Sequence, residues 1–369
     1  MTFEVEPASP HRIVSWDIRP AQRPADMGID RLDEKHLIAG LDSNLQRQAA
    51  EQRFSGTVLL AKGDRILYER AFGLSDAAGK QANAVGTRFT VASMGKMFTA
   101  VAILQLAESG KLDLQQPLGT YLPDYPNRAI ADNVTLHHLL THTGGTGDIF
   151  VDEIEANAAS ITEPADYIAV LGKRAPDFKP GEKWDYSNYG FVLLGRVVEV
   201  VSGEPYFDYL REHIYRPAGM MNTGSSALSA VTEAITANGY RRDGGAWVAV
   251  DTAGLPRRAS PAGGEVSTAH DMYLFARALQ TGTLLSETSL EILTRGKVAM
   301  RGGQYAYGFK DQERSGVRYV GHGGGAPGAN TELDIYPAQG YIAVVLTNQD
   351  PPGANRIAEY IGNRIPSEN

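Results

Sequence analysis

A long apolar segment, from Thr90 to about residue 107, constrains the fold of this chain more than any other feature. When the segment is placed on a helix, its apolar side chains surround most of the helix rather than forming a single stripe. Such a helix has to be covered on several sides by other parts of the chain. Ser109 and Gly110 follow and end the pattern. The sequence therefore predicts a buried helix that the rest of the fold encloses.

Short segments rich in β-branched and aromatic residues occur on both sides of this helix along the chain. Near the start, two such segments are separated by Lys62, Gly63 and Asp64, a combination typical of a hairpin turn. Further segments of this kind lie near the end. The predicted strands cover residues 56–61, 65–73, 317–320, 331–336 and 341–347. Helices are predicted from residue 33 to about residue 53 and from about residue 354 to residue 365.

The middle of the chain, from about residue 112 to residue 260, has the pattern of helices joined by loops rich in proline and glycine. One antiparallel sheet built from both ends of the chain, with a helical lobe inserted between them, accounts for this order. We therefore predict an α/β (α+β) fold with a sheet lobe at 31–112 and 262–369 and a helical lobe at 113–261. A cleft between the lobes is the expected site. Residues 1–30, which contain four prolines, are predicted to form an irregular N-terminal extension.

Composition excludes several classes of function. The formal net charge is −8 and no dense basic run occurs, which argues against a nucleic-acid partner or an anionic membrane. The chain has no cysteine, so thiolate nucleophiles, disulfides and cysteine-ligated metals are ruled out. No apolar window reaches about 18 residues, the length that membrane insertion requires. Residues 1–6 lack the basic start and apolar core of a signal peptide, so we expect a cytoplasmic protein, or an exported one only if a signal has been removed.

Ser93 and Lys96 lie at the start of the predicted buried helix. Side chains at positions i and i+3 share one face of a helix, so the serine oxygen and the lysine nitrogen can meet. A lysine among apolar neighbours is desolvated, which lowers its pKa and favours the neutral amine that can act as a base. Backbone N–H groups at the helix start would favour a developing oxyanion. The alternative is a capping serine followed by a lysine whose ammonium reaches solvent.

Tyr186 and Asn188 belong to a Tyr-Ser-Asn sequence in the loop before a predicted helix. A phenol can exchange the second proton of acyl transfer when neighbouring cations lower its pKa. The adjacent asparagine amide can contact both a substrate carbonyl and the lysine. A second Tyr-x-Asn match, Tyr125 to Asn127, lies among prolines that favour a structural corner. Either match, taken alone, is compatible with a surface turn.

A glycine-rich segment, residues 321–328, follows the predicted strand at 317–320 and consists of Gly-His-Gly-Gly-Gly-Ala-Pro-Gly. Glycines allow a ligand to approach the strand backbone closely, and an N–H group of that strand could complete an oxyanion hole. The alternative is a flexible hairpin loop in which His322 has no chemical role.

The motifs Ser-x-x-Lys, Tyr-x-Asn and His-x-Gly occur in this order, beginning at Ser93, Tyr186 and His322. In order and spacing the chain resembles the class C β-lactamase, DD-peptidase and family VIII carboxylesterase group of penicillin-recognising serine hydrolases. The resemblance extends over about residues 33–365 and implies a β-lactamase/transpeptidase-like fold. Further stretches similar to this group are Gly-Lys-Leu-Asp-Leu at 110–114, Thr-Leu-His-His-Leu-Leu-Thr-His-Thr-Gly at 135–144, Pro-Gly-Glu at 180–182, Pro-Ala-Gly-Met at 217–220 and Pro-Ala-Gly-Gly at 261–264.

The resemblance implies a role for each matching residue of this chain. Ser93 would be the acylated nucleophile, Lys96 its base and Tyr186 the proton shuttle. The backbone N–H groups of Ser93 and Gly325 would form the oxyanion hole. The implied substrate contacts are Asn188, His322, Gly323 and Gly324. Neither a metal nor a cofactor is implied.

His322 and Gly323 stand where lactamases of this group usually have the lysine and threonine of Lys-Thr-Gly. A β-lactam carries a carboxylate that the lysine and threonine hold, whereas here a largely neutral imidazole and a glycine replace them. We therefore predict a serine hydrolase that acts on a small carboxylic ester through a Ser93 acyl-enzyme. A β-lactam or a D-amino-acid peptide or amide is the alternative substrate.

Other classes of function are weighed against this prediction. A zinc hydrolase could use His138 and His142, which have i, i+4 spacing, but Leu139 replaces the glutamate of a His-Glu-x-x-His site. The full set of candidate zinc ligands is His137, His138, His142 and Asp148. An α/β-hydrolase would need Gly-x-Ser-x-Gly, and a valine occupies the first of these positions. A catalytically silent penicillin-binding-like protein on the same fold is the remaining alternative.

Overall fold

A computed structural model describes residues 2–5, 13–17, 29–225, 235–251, 256 and 258–366. Its strands are β1 (Thr2–Val5), β2 (Ile13–Asp17), β3 (Gly56–Lys62), β4 (Arg65–Phe72), β5 (Leu74–Asp76), β6 (Gln81–Ala82), β7 (Phe89–Thr90), β8 (Tyr240–Asp243), β9 (Ala246–Ala249), β10 (Val266–Ser267), β11 (Val298–Met300), β12 (Gly303–Tyr305), β13 (Lys310–Arg314), β14 (Val317–Ala326), β15 (Ala329–Tyr336) and β16 (Tyr341–Thr347).

Its α-helices are α1 (Glu34–Ala50), α2 (Gly95–Glu108), α3 (Leu118–Tyr121), α4 (Arg128–Asn133), α5 (Leu136–Leu140), α6 (Asp152–Asn157), α7 (Pro164–Leu171), α8 (Asn188–Ser202), α9 (Tyr206–Leu210), α10 (Arg216–Ala218), α11 (Ala269–Gln280), α12 (Glu287–Thr294) and α13 (Gly353–Gly362). Short 3₁₀ turns occupy Ala92–Met94 and Ala158–Ser160, and Arg211–Tyr215 is π-helical. No helix in the described ranges is both long enough and apolar enough to cross a bilayer.

The largest element is an eight-stranded antiparallel sheet with the strand order β11–β12–β13–β14–β15–β16–β3–β4. Its two parts meet where β16 pairs with β3, with Tyr341 opposite Lys62 and Thr347 opposite Gly56. Strands from near the start of the chain thus join strands from near its end. The predicted fold class, an antiparallel sheet built from both ends of the chain and flanked by helices, is confirmed.

Both faces of the sheet are covered, because side chains along its inner strands alternate between two hydrophobic cores. In β16, Ala343 and Val345 pack in the core that contains residues of α1 and α13. Val344 and Leu346 of the same strand pack in the larger core that contains α2. This double coverage explains why β16 is apolar at successive positions instead of alternating apolar and polar residues.

Helix α2 is enclosed as its apolar composition predicts. Eleven of its 14 residues are buried. It contacts α8, α9 and α12, and Phe98 makes edge-to-face ring contacts with Tyr215 and Phe275. Aromatic contacts of this kind stabilise a single packing arrangement in addition to the area that they bury. The enclosure therefore fixes the start of α2, which carries the predicted base Lys96 and follows directly on the 3₁₀ turn of the predicted nucleophile Ser93.

Two strand pairs depart from the sequence prediction. Residues 1–30 are predicted to be irregular, but β1 and β2 pair antiparallel, with Phe3 opposite Trp16. The prolines of this region lie outside the two strands, whose β-branched and aromatic residues favour pairing. The middle of the chain, predicted to be helical, contains the hairpin β8–β9, whose turn places Gly244 and Gly245 at positive φ. The boundaries of the two lobes stay a prediction.

Leu41 is fully buried where α1 packs on the sheet. Leu41→Ala removes buried methyl groups and leaves a cavity, so we expect the free energy of unfolding to fall by about 2–5 kcal/mol. Ser43→Ala changes an exposed position of the same helix and should alter it by less than about 0.5 kcal/mol. Urea unfolding followed by circular dichroism measures both variants. Equal losses in the two variants would contradict this packing.

Candidate active site

Ser93 lies in the 3₁₀ turn that leads into α2, and the backbone of this turn is held from two sides. The Thr331 hydroxyl donates to the Val91 carbonyl at 3.0 Å, and the Val91 N–H donates to the Glu265 carbonyl at 2.8 Å. Ala92 has a left-handed φ of 47°, a conformation that costs a non-glycine residue on the order of 1–3 kcal/mol. Because the surrounding contacts maintain this strained turn, the position of the half-buried Ser93 is fixed.

The Lys96 side chain is completely buried beside Ser93. Its Nζ atom lies 3.4 Å from Ser93 Oγ and donates hydrogen bonds to Asn188 Oδ1 at 2.6 Å and to the Ala262 carbonyl at 2.7 Å. The ring of Tyr186 lies on another side of the amine, with its centroid 4.7 Å from Nζ. The structure therefore places four of the predicted site residues together: Ser93, Lys96, Tyr186 and Asn188.

Burial lowers the pKa of Lys96 from its usual value to about 7. The negative charges of Asp148 and Glu265 oppose this effect, because they favour the ammonium form. At neutral pH a substantial fraction of the amine is thus unprotonated and can accept a proton from a hydroxyl group. The direction of this shift is the one that the apolar sequence around Lys96 predicts.

Asp148, one of the candidate zinc ligands in the sequence, orients the amide of Asn188. Asn188 Nδ2 donates to both carboxylate oxygens of Asp148, at 2.9 and 3.1 Å, and this leaves Oδ1 directed at Lys96. The backbone N–H of Ile149 also donates to Asp148, at 2.6 Å. Asp148 therefore acts on the lysine through the asparagine. No local sequence pattern identifies this role, because Asp148 and Asn188 are 40 positions apart.

Tyr186 immediately precedes the N-terminal cap of α8, and its hydroxyl interacts with the side chain of Ser93. Burial raises the pKa of the phenol well above its usual value, the hydrogen bond with Ser93 lowers it, and Asp148 raises it. The condition stated from the sequence, a pKa lowered by neighbouring cations, is therefore not met, because burial raises the pKa of this phenol. In the free protein the phenol keeps its proton and can donate it to a departing oxygen atom.

His142 holds the loop that carries Tyr186 through three contacts. Its carbonyl accepts from the Asp185 N–H at 2.9 Å, its Nδ1 atom accepts from the Ser187 N–H at 3.1 Å, and its ring centroid lies 4.3 Å from that of Tyr186. Burial lowers the pKa of His142 well below its usual value, so Nδ1 stays free to accept. His142 is a candidate ligand in the zinc hypothesis, but its contacts show that it instead maintains the conformation of this loop.

The remaining histidines of the zinc hypothesis make contacts of their own. His137 Nδ1 lies 2.8 Å from the Tyr307 hydroxyl, and His138 Nδ1 accepts from the Thr135 N–H at 3.2 Å. Across the residues that the structure describes, no three His, Asp or Glu side chains converge in a metal-binding arrangement. The geometry therefore gives the zinc hypothesis no support.

His322 is buried in β14, and both of its ring nitrogens contact protein groups. Its Nε2 atom lies 3.0 Å from the Tyr305 hydroxyl, and its Nδ1 atom lies 2.5 Å from the Gly323 carbonyl oxygen. Burial lowers the pKa of His322 well below its usual value, and the charges of Lys310 and Lys96 lower it further. The imidazole is therefore neutral at physiological pH and presents no cation to a substrate.

Strand β14 runs directly against the turn that holds Ser93. A Cβ atom at Gly324 would lie 2.3 Å from the Val91 carbonyl oxygen, a distance far shorter than packed side chains tolerate. At Gly325 the nearest atom to such a Cβ would be Pro351 Cγ, at 3.6 Å, which is an ordinary contact. Glycine is thus required at position 324, because it lets the strand approach the turn.

Gly323 faces the opposite side of the sheet from Gly324. It lies across the ladder from Glu332, and a Cβ atom at Gly323 would lie 2.4 Å from Glu332 Oε1. Glu332 also accepts a hydrogen bond from Asn355, a residue of α13. A longer side chain at position 323 would therefore be directed toward α13 and away from Ser93.

Gly324→Ala is expected to push β14 away from the turn, since the backbone of Val91 cannot move aside. We expect the free energy of unfolding to fall by about 1–3 kcal/mol. The rate at which a fluorophosphonate probe labels Ser93 should fall roughly 10- to 100-fold, because small displacements of reacting groups are costly. The matched control is Gly86→Ala, an exposed position where an added Cβ atom would meet nothing within 4 Å, and it should change the labelling rate by less than about twofold. Similar losses in both variants would contradict the special role of position 324.

Comparison with known proteins places these features in a family. A sequence profile of the family described as Beta-lactamase matches residues 41–364. The protein named "Putative penicillin-binding protein PbpX" of Bacillus subtilis (strain 168) is 36% identical over 314 residues, which cover 85% of this chain and 75% of that protein. Esterase EstB of Burkholderia gladioli is 33% identical over 208 residues, which cover 52% of this chain and 53% of the esterase.

The solved structures agree with the sequence comparisons. The crystal structure of a penicillin binding protein from Bacillus halodurans is similar, with a TM-score of 0.77 and 32% identity, over 86% of this chain and 98% of that chain. The resemblance inferred from the three motifs is thus confirmed at the level of family and fold. The chain belongs to the beta-lactamase family, the serine hydrolases that share this fold.

Proposed function

We propose that this protein is a carboxylic ester hydrolase that works through a Ser93 acyl-enzyme. The observation that supports this most directly is the position of the Lys96 amine, 3.4 Å from the Ser93 hydroxyl and with a pKa lowered to about 7. An amine with this pKa is matched to proton transfer at neutral pH. Because one fold supports many substrates, the substrate class is argued from the site rather than from the family.

In the proposed acylation step, Lys96 Nζ accepts the proton of the Ser93 hydroxyl while Oγ attacks the ester carbonyl carbon. The backbone N–H groups of Ser93 and Gly325 bind the oxyanion of the tetrahedral intermediate. The bond to the alcohol then breaks, and the Tyr186 hydroxyl donates its proton to the leaving oxygen. The Lys96 ammonium returns a proton to the phenolate, so both groups regain their starting states.

Water takes the place of the alcohol in deacylation. The Lys96–Tyr186 pair accepts one proton from the attacking water and delivers it to Ser93 Oγ as the acyl bond breaks. The carboxylic acid leaves, and the pair carries no additional proton at the end of the cycle. The hydrogen bonds of Lys96 to Asn188 and Ala262 keep the amine in place through both steps.

The third motif supports an uncharged substrate. A substrate carboxylate would need a cation or hydroxyl donors there, whereas His322 is neutral and both of its ring nitrogens are engaged. A hydrogen bond to a charged group contributes about 1.5–3 kcal/mol, so its loss weakens a carboxylate-bearing lactam relative to a simple ester. The identity shared with the esterase of Burkholderia gladioli adds support for ester hydrolysis.

A second candidate is reaction with penicillin-like lactams or D-amino-acid amides. The names of the similar proteins of Bacillus subtilis and Bacillus halodurans, which refer to penicillin binding, support the lactam part of this candidate. Both candidates share acylation of Ser93 and differ in the leaving group and in the anchoring of the substrate. Substrate preference therefore distinguishes them.

Ser93→Ala should abolish ester turnover, with a fall in kcat of at least about 10³-fold, because no other group can form the acyl-enzyme. A fluorophosphonate probe should add its mass to a peptide that contains Ser93, as measured by mass spectrometry. Ser43→Ala, which alters an exposed position on α1, is the control and should keep full activity and labelling. An adduct on another residue, or an active Ser93→Ala protein, would contradict the acyl-enzyme.

Esters should be better substrates than lactams. We expect kcat/KM for p-nitrophenyl acetate or butyrate to exceed that for nitrocefin by at least about tenfold. A tenfold ratio corresponds to a loss of about 1.4 kcal/mol of interaction free energy with the lactam. His322→Lys introduces a cation at the third motif and should narrow the ratio. Gly323→Thr should not, because a side chain at position 323 meets Glu332. Nitrocefin hydrolysis that equals or exceeds ester hydrolysis would favour the second candidate.

A further inference from the structure

A carboxyl group that the proposed mechanism does not use lies at the start of α2. Glu265 is completely buried, and its backbone carbonyl accepts the Val91 N–H in the turn that holds Ser93. A Cβ atom on Gly95 would lie 2.2 Å from Glu265 Oε2 and 2.9 Å from the carboxyl carbon. The carboxyl group of Glu265 therefore fills the space that a glycine leaves next to Lys96.

Among the residues that the structure describes, no other residue donates a hydrogen bond to the side-chain oxygens of Glu265. A buried carboxyl group without such partners is unstable in its charged form unless another charge compensates it. Burial raises the pKa of Glu265 to about 8, while its own backbone N–H and the charge of Lys96 lower it. The carboxylate in turn raises the pKa of Lys96. The two groups are therefore electrostatic partners.

The phenols and imidazoles that face this pair do not titrate near neutral pH. Burial, and then the charge of Glu265, raise the pKa of Tyr206 and of Tyr215 well above the usual value, so both phenols keep their protons. The remaining charged or titratable groups near Lys96 are Tyr186, Asp148, His142 and His322, and burial raises the pKa of Tyr186 so that it too keeps its proton. Burial keeps both imidazoles neutral. Proton uptake at the site between about pH 6 and 9 therefore belongs to Lys96 and Glu265.

We propose that Glu265 is a positioning residue for the reaction, whose buried carboxyl group, once ionised, stabilises the ammonium group that forms when Lys96 accepts the Ser93 proton. The inference rests on the proposed function, because it requires Lys96 to be the base. No bond to Glu265 forms or breaks, and the carboxylate acts only through its charge, in a buried site of low dielectric constant. The amine is therefore the stronger base once the carboxyl group is ionised.

Glu265→Gln tests the proposal, because an amide keeps the shape of the side chain but carries no charge. The rate at which a fluorophosphonate probe acylates Ser93 is measured from about pH 5.5 to 9.5, together with kcat/KM for p-nitrophenyl acetate. In the wild-type protein we expect the rate to rise in two steps, near the pKa values of about 7 and about 8. In Glu265→Gln the second step should disappear, and the midpoint of the profile of rate against pH should fall by about one pH unit. Above about pH 8 the acylation rate of this variant should be about 3- to 10-fold lower than that of the wild-type protein.

Three further variants make the result specific. Glu108→Gln changes a carboxyl group at the other end of α2, where it accepts from the Ser286 N–H at 3.0 Å, and should keep the wild-type profile. Glu265→Leu replaces the carboxyl group with an apolar side chain and should shift the midpoint of the pH profile as Glu265→Gln does. This second uncharged variant tests the proposal even if Glu265→Gln fails to fold. Glu265→Asp keeps a carboxyl group and should keep both steps.

A profile of Glu265→Gln or Glu265→Leu that is only scaled down, with the wild-type midpoint, would overturn the proposal, because it would indicate a packing role alone. A wild-type protein that is not labelled at Ser93 would instead contradict the proposed function. The two failures are therefore distinguishable within one set of measurements.

Discussion

The buried amine of Lys96 is the interaction on which the rest of the site depends. A solitary ammonium group enclosed by protein costs more free energy than a folded domain retains, so the lysine is stable there only with compensation. That compensation comes from the side chain of Asn188 and the carbonyl of Ala262, which accept its hydrogen bonds. The burial that makes this lysine costly also lowers its pKa to about 7. Its cost to the fold and its usefulness as a base therefore have one physical cause.

The fold explains how distant parts of the chain meet at this amine. Helix α2 lies in the core between the sheet and the helices of the middle of the chain, and it contacts α8, which begins at Asn188. The loop before β10 supplies Ala262, and β14 approaches the turn of Ser93 at Gly324. Most of these contacts use backbone groups or short side chains. Such groups lose little freedom when a substrate binds, so the arrangement is formed in advance of the reaction.

The sequence predicts those parts of the molecule that local rules govern. The enclosure of α2 follows from its apolar residues, the serine–lysine contact from i, i+3 spacing, and the central sheet from the β-rich segments at both ends of the chain. Other features depend on residues far apart in sequence, so no local pattern predicts them. They are the orientation of Asn188, the contacts of His142 and the buried carboxyl group of Glu265. Gly95 is a partial indication of the buried carboxyl group. Glycine at the start of a buried helix lowers stability, and it is favoured there only when a neighbouring side chain occupies the space of the missing Cβ atom. The β8–β9 hairpin also has a local signal, the Asp-Gly-Gly turn, that the helical interpretation overlooks.

Near neutral pH the titratable groups around the amine, with the exception of Asp148, carry little formal charge. Lys96 is partly unprotonated, Glu265 and Tyr186 largely keep their protons, and His322 is neutral, because burial disfavours the charged form of each group. Proton transfer among such groups creates charge only transiently, and each transient charge has a partner within the site. A substrate with its own carboxylate would bring in a charge that no group at the third motif compensates, whereas a neutral ester would not. The proposed preference for uncharged esters and the basicity of Lys96 therefore have the same origin, the desolvation of the site.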